Sequence, residues 1–221
     1  MKKTVILNSA KFNYDGKLNF SDLERIVEVA LYETSSPDEI LKRAEGADIL
    51  ITKELPLAGE LIRKLPDSIK LICEAGTGFN NIELPAAKER DITVCNVPGY
   101  STGAVAQLAV SFILCLSSSL AQQQIMVKQN RFDNFTKFLQ VPHHEVQGKT
   151  LGVIGCGSIG KQVIRVTSAM DMNIFYYDVN PGNFETGNIK YAPIDTLLRE
   201  SDFVTLHCPL TEKTKHLIDK Y

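Results

Sequence analysis

The sequence predicts an α/β fold with two parallel sheets, on three observations. An apolar strand over residues 150–154 runs straight into Gly155-Cys156-Gly157-Ser158-Ile159-Gly160 and then a helix of about residues 158–170. Strand and helix patterns alternate through the first hundred residues, as parallel strands joined by helical crossovers require. A proline-glycine break at Asn96-Val97-Pro98-Gly99-Tyr100-Ser101 separates that alternation from a long apolar helix. The chain is therefore expected to form two lobes, 1–100 and 101–221, with a ligand cleft between them, since ligands in such sheets bind beyond the carboxyl ends of strands.

The first strand is read over residues 3–9. Met1-Lys2-Lys3 is followed by only four apolar or β-branched residues before Asn8, far short of a signal-peptide core. Ser21-Asp22-Leu23-Glu24 and Ser36-Pro37-Asp38-Glu39 each read as a capping box opening a helix, the second with proline at the first helical position. Further strands are expected at 48–52, 69–75 and 92–97, separated by helical stretches near 58–65 and 84–90. A helix of about residues 102–130 then enters the second lobe. Its most apolar part, 104–116, is interrupted by Gln107 and Ser111 and is shorter than a bilayer needs, so it reads as a buried helix. Residues 131–148 read as an irregular, partly helical connection.

The glycine-rich turn has a specific physics. Gly155 allows the tight turn from strand to helix, Gly157 lets the backbone approach a pyrophosphate, and Gly160 lets the helix pack closely on the strand. The helix beginning at Ser158 points its free N–H groups and positive dipole end at that pyrophosphate. A second strand over 173–178 ends on Asp178, eighteen residues after Gly160, where an acid meets the adenine ribose. Val179, Asn180 and Pro181 follow, with no cation for a 2′-phosphate, so the expected cofactor is NAD.

Composition narrows the function class. The 221 residues are 44% hydrophobic, ample for buried cores, and 24 basic against 26 acidic residues leave a net charge of −2. That balance offers nothing to nucleic acid or an anionic membrane and favours a small-molecule ligand. Cys73, Cys95, Cys115, Cys156 and Cys208 form no CxxC and sit mostly in apolar patterns, which fits a reducing cytoplasm. His143 and His144 read as a solvated pair, and no metal-ligand set emerges. The loop Ala75-Gly76-Thr77-Gly78-Phe79-Asn80-Asn81 has two readings. Its glycines present successive N–H groups as a carboxylate nest, or it is a tight turn in which the asparagines satisfy local backbone.

Four stretches in this order resemble the D-isomer-specific 2-hydroxyacid dehydrogenases: Glu74-Ala75-Gly76-Thr77-Gly78-Phe79-Asn80-Asn81-Ile82, Asn96-Val97-Pro98-Gly99-Tyr100-Ser101-Thr102-Gly103-Ala104-Val105-Ala106, Gly148-Lys149-Thr150-Leu151-Gly152-Val153-Ile154-Gly155, and His207-Cys208-Pro209-Leu210-Thr211. The resemblance runs along nearly the whole chain. It implies a flavodoxin-like substrate lobe over 1–100 and a Rossmann NAD-binding lobe over 101–221, the latter ending after its fourth strand. The implied activity is hydride transfer between NAD(H) and a small 2-oxo or 2-hydroxy acid. Asn80-Asn81 and Gln107 look most like glycerate dehydrogenases that reduce hydroxypyruvate, with phosphoglycerate- and lactate-type enzymes of the same family as the alternative.

Residue by residue, the resemblance makes Ala75, Gly76, Thr77 and Gly78 the loop that holds the 2-oxoacid carboxylate, with Thr77 also near the nicotinamide. Lys53 falls where the family often has a basic residue facing the substrate; a solvated strand-end lysine is the other reading. Val105 matches a residue that packs on the nicotinamide. Ser158 and Ile159, with Gly155, Gly157 and Gly160, correspond to pyrophosphate contacts, Asp178 to the ribose acid, and His207, Cys208 and Pro209 to the loop on the adenosine side. Cys208 stands where many relatives have threonine. The family's catalytic arginine, glutamate and histidine all follow the His-Cys-Pro-Leu-Thr stretch, after which ten residues remain here. No catalytic residue is therefore assigned within 1–221, His207 included, and this chain alone is expected to be inactive. A truncated piece, a shortened gene product and a second completing polypeptide are all compatible with that ending. Some relatives act as corepressors, so a non-catalytic NAD-responsive binding protein is the competing reading. The expected assembly is a homodimer through the second lobe, helped by a strand at 202–207 left as a sheet edge.

Overall fold

Runs such as Val5-Ile6-Leu7, Leu50-Ile51 and Leu71-Ile72 are too short for core helices and carry β-branched residues, so they pair as strands buried on both faces. The computed structural model describes residues 1–182 and 184–219, and contacts divide the chain into two units, Met1–Tyr100 and Ser101–Tyr221.

The first unit runs β1 (Lys3–Ile6), α1 (Ser21–Glu24), β2 (Glu28–Leu31), α2 (Pro37–Ala44), β3 (Ile49–Thr52), α3 (Gly59–Arg63), β4 (Leu71–Glu74), α4 (Leu84–Glu89) and β5 (Thr93–Cys95). Its five strands are all parallel in the order β2-β1-β3-β4-β5, the flavodoxin-like order. The core is Val5, Leu7, Leu50 and Ile72 from the sheet against Ile40, Ala44, Leu61 and Ile62 from the helices. Each such aliphatic chain contributes about 1.5–3 kcal/mol on burial. The α2 capping box forms as read: Glu39 N–H donates to Ser36 Oγ at 3.4 Å and Ser36 N–H to Glu39 Oε2 at 2.7 Å.

The expected capping box at Ser21 does not form. Asn19 Oδ1 accepts the Ser21 N–H at 2.8 Å, an Asx turn that draws Ser21 into the first helical turn and leaves Phe20 as an uncapped N-cap. Strand β2 is a further departure: Glu28-Val29-Ala30-Leu31 is an edge strand with no fully buried residue, and its short apolar run becomes a strand by pairing with β1.

The second unit runs α5 (Thr102–Ser117), α6 (Leu120–Lys128), α7 (Asp133–Thr136), β6 (Thr150–Ile154), α8 (Ser158–Ser168), β7 (Asn173–Tyr177), β8 (Ile189–Tyr191), α9 (Ile194–Glu200) and β9 (Phe203–Leu206). Four parallel strands in the order β8-β7-β6-β9 reproduce the 3-2-1-4 arrangement of a Rossmann sheet. Helix α8 buries Gly160, Val163, Ile164 and Thr167, one face at i, i+3, i+4, i+7, within the core that holds Leu151, Val153, Ile174 and Tyr176.

The helix expected over 102–130 is two helices, bent by 67°. Ser117-Ser118-Ser119 explains the break: Ser117 Oγ bonds back to Leu114 O at 3.1 Å, Gln123 Nε2 donates to Ser118 O at 2.6 Å, and Ser119 takes the left-handed conformation with φ 49°. Nor is α5 buried all round. Ala106, Val110, Ile113 and Ser117 face inward while Leu108, Phe112 and Leu116 are exposed. Among the described residues no single helix is long and apolar enough to cross a membrane. Strand β8 is the third of the four strands that the resemblance implies, helix α9 leads from it into β9, and residues 212–218 form turns and a bend.

Candidate functional site

Two groups of the residues singled out in the sequence gather at carboxyl ends of strands, one in each unit. In the first, β4 ends in Glu74 and the chain turns into Ala75-Gly76-Thr77-Gly78. The turn is tied on its outer side: Ala75 N–H donates to Thr52 O at 2.7 Å, Val97 N–H to Gly76 O at 2.9 Å, Asn96 Nδ2 to Thr77 O at 2.8 Å, and Thr77 Oγ1 to Val97 O at 3.0 Å. The N–H groups of Gly76, Thr77 and Gly78 donate to no protein acceptor among the described residues. A Cβ on Gly78 would meet nothing within 4 Å, so the space beside that row is open.

Lys53, just past β3, leans over the same loop. A Cβ on Gly76 would lie 2.6 Å from its Nζ, so a side chain there would displace the ammonium from its place over the loop. Burial alone would lower the Lys53 pKa, but the hydrogen bond and charge of Glu54, with Tyr100, outweigh burial and hold it above the usual lysine value. The group is an ammonium at neutral pH, paired with Glu54 Oε1 at 3.1 Å.

In the second unit Gly155 has φ +94°, a conformation other residues rarely adopt, and a Cβ there would lie 2.6 Å from Cys208 N. Gly160 is needed for closer packing still, against Gly155 O. Gly157 differs from both: its φ is an ordinary −68° and a Cβ would meet nothing within 4 Å. Its role is therefore to leave room, not to adopt a special backbone angle. The first intrahelical bond of α8 is Lys161 N–H to Gly157 O at 3.0 Å, which leaves the N–H groups of Ser158, Ile159 and Gly160 in the open first turn.

Asp178 ends β7 beside this turn. Its Oδ2 accepts the Cys156 N–H at 2.7 Å and its Oδ1 the Asn180 N–H at 2.9 Å, using two of about four acceptor positions. Burial, then the Asp178 charge, push the Cys156 thiol up to about 11, so it stays protonated and unreactive.

The remaining residues lie around the β9 end. His207 Nε2 is 3.0 Å from Thr205 Oγ1, and burial pushes its pKa down, leaving it neutral. Cys208 is half-buried against Gly155, and exposed Pro209 accepts from Thr214 Oγ1 at 2.6 Å. Val105 lies on α5 in an open groove of about 440 Å³ that it shares with Leu108, Phe112, Phe203 and Val204.

The family model for the D-isomer-specific 2-hydroxyacid dehydrogenase NAD-binding domain matches residues 110–221, and that for the catalytic domain of the same enzymes matches residues 13–147. The chain belongs to the D-isomer-specific 2-hydroxyacid dehydrogenase family. Within that family it is 32% identical to a hydroxypyruvate reductase of Blautia hydrogenotrophica over 99% of this chain and 69% of the relative. It is 37% identical to the hydroxypyruvate reductase of Thermotoga maritima over 83% of this chain and 58% of that one. Among solved structures, D-lactate dehydrogenase from Aquifex aeolicus complexed with NAD and lactic acid superposes with a TM-score of 0.79 at 27% identity, covering 96% of this chain and 62% of that enzyme. The chain thus spans about three-fifths to two-thirds of the length of these family members.

The residues around the family's two glycine turns fit a dinucleotide at the second, where Gly157 leaves a cradle and Asp178 keeps acceptors free. Two polar side chains went unread in the sequence. Asn8 and Glu74 are both buried, and both follow an apolar strand run, Val5-Ile6-Leu7 and Leu71-Ile72-Cys73. A polar residue closing a buried strand on the carboxyl side of a parallel sheet was the available signal.

Proposed function

We propose that the protein is an NAD-dependent dehydrogenase acting between a small 2-oxo acid and its 2-hydroxy acid, with hydroxypyruvate and glycerate the favoured pair. The observation that carries this reading is the row of free N–H groups on Gly76, Thr77 and Gly78 with the Lys53 ammonium against Gly76. Such a row binds a carboxylate by hydrogen bonds to a charged acceptor, each contributing about 1.5–3 kcal/mol. The names of the two reductases above point to the same substrate class.

NAD(H), when bound, supplies or accepts the hydride. Ser158, Ile159 and Gly160 would hold its pyrophosphate on the first turn of α8, Gly157 would leave space for it, and Asp178 would accept from the adenine ribose hydroxyls. Lys53 and the Ala75–Gly78 turn would fix the carboxylate of the acid, orienting its 2-carbon. Val105, His207, Cys208 and Pro209 would line the rest of the dinucleotide site. Polarising the carbonyl and moving the proton are assigned to the family's arginine, glutamate and histidine, and to no residue of 1–221.

We also assign the exposed row Leu108, Phe112 and Leu116 beside edge strand β9 to a homodimer contact. The enzyme assignment is tested with native protein of family length, which carries the arginine, glutamate and histidine not found in residues 1–221, together with NADH and hydroxypyruvate. Turnover supports it, and NADH binding with no turnover of hydroxypyruvate or glyoxylate favours a nicotinamide-sensing protein instead.

A further inference from the structure

We propose that Glu74 and Asn8 are positioning residues that set where the Lys53 ammonium stands beside the Gly76-Thr77-Gly78 row. The inference rests on reading that row as the carboxylate site.

Lys53 and Glu54 are held by more bonds than a strand-end turn needs. Asn8, at the end of β1, takes the Lys53 N–H on Oδ1 at 2.9 Å and donates from Nδ2 to the Lys53 carbonyl at 2.5 Å, gripping one residue on both sides. Glu74, at the end of β4, takes the Glu54 N–H on Oε1 at 3.0 Å. The strands β1 and β4 flank β3 in the sheet, so the corner is clamped from both neighbours. The clamp holds an unfavourable conformation, because Glu54 has φ 54°, which a residue other than glycine keeps only where its surroundings impose it.

Glu74 is fully buried, and among the described residues its hydrogen-bond partners are neutral: the Glu54 N–H and Asn81 Nδ2, the latter at 2.9 Å. A charge in that position is a poor device for stability, since apolar groups of the same shape usually serve the fold as well or better. Its two accepting oxygens have a use at the loop. A Cβ on Gly76 would lie 3.1 Å from Glu74 Oε1 and 2.6 Å from Lys53 Nζ, so both side chains flank the same glycine. The Lys53 ammonium itself pairs with Glu54, whose side chain is 61% exposed, so Glu74 acts on it through the backbone corner that carries both residues.

The test is a double-mutant cycle read by calorimetric binding of oxalate to the native protein in the presence of NADH. Glu74→Gln keeps the side-chain volume and replaces one of the two accepting oxygens by an amide donor; Asn8→Ala opens the other side of the clamp, and Glu74→Asp, whose shorter side chain withdraws from the corner, replaces the amide variant if that one does not fold. Each change is expected to weaken oxalate binding about tenfold, leave NADH affinity within about twofold, and add less than about twofold in the Lys53→Met background. A purely structural role would lower the melting temperature and act equally in both backgrounds. Oxalate binding that is absent from the wild type, indifferent to Glu74→Gln, or weakened as much in the Lys53→Met background overturns the inference. A wild type that binds oxalate with this coupling yet reduces no 2-oxo acid defeats the proposed function and leaves the positioning role standing.

Discussion

The carboxylate of Asp178 accepts the backbone N–H of Cys156 at 2.7 Å, so the acid that ends β7 is fastened to the glycine-rich turn beside it. A 2′-phosphate brought to this position meets a fixed negative charge. At about 4 Å and an effective dielectric near 20 the repulsion reaches roughly 4 kcal/mol per charge pair, reduced by solvent and salt. NADH is therefore expected to bind at least tenfold more tightly than NADPH, and Asp178→Asn to narrow the gap. Parallel fluorescence titrations decide it, and equal dissociation constants in the wild type would refute the assignment.

Gly157 and Gly155 separate room from conformation. Gly157→Val places its branch in open space at an ordinary φ, so the melting temperature should hold while NADH affinity is lost. Gly155→Ala is the opposite case, with φ +94° and a Cβ 2.6 Å from Cys208 N, and should destabilise the second unit by about 3 kcal/mol or more. Retained NADH binding in the valine variant, or an unchanged melt in the alanine variant, would contradict the geometry.

What was legible in the sequence follows from which signals are local. The α8 turn was readable because its signals are local: Gly155 and Gly160 are required by close contacts, Gly157 leaves open room between them, and the strand-end acid Asp178 bonds the turn. The Ser36 cap was readable because both its partners lie within one turn. Ser21 misled because Asn19, two residues earlier, offers a competing acceptor that the same four letters do not reveal. The break at Ser119 depends on side chains bonding to their own backbone, and edge strand β2 on pairing with β1 across two dozen residues of sequence. Asn8 and Glu74 acquire their meaning only when β1, β3 and β4 lie side by side, a juxtaposition that no local pattern carries.

His207 makes a pH prediction. Burial lowers its folded pKa below the unfolded value near 6.5, so the folded state disfavours the proton. Its contribution to stability is present above about pH 6.5 and is lost as pH falls from there through the folded pKa, below which the loss levels off. His207→Gln should flatten that part of the melting-temperature profile. Coincident wild-type and variant slopes below pH 6.5 would show that the imidazole does not titrate differently on folding.

The exposed row on α5 predicts association. Phe112→Asp puts a charge into the apolar strip formed with Leu108 and Leu116 and should convert a dimer to monomer at micromolar concentration. Sedimentation or light scattering reads the outcome, and a wild type already monomeric under those conditions would remove the dimer from the account.

The central claim is tested most directly by NADH absorbance with hydroxypyruvate and with glyoxylate, using native protein whose verified mass is that of a family-length chain, residues 1–221 alone being expected to show no turnover. The account predicts NADH consumption that depends on the acid, proceeds in preference to NADPH consumption, and shows a raised KM for the acid in the Lys53→Met variant. NADH that binds, as its fluorescence would report, but is not consumed with either acid would contradict it.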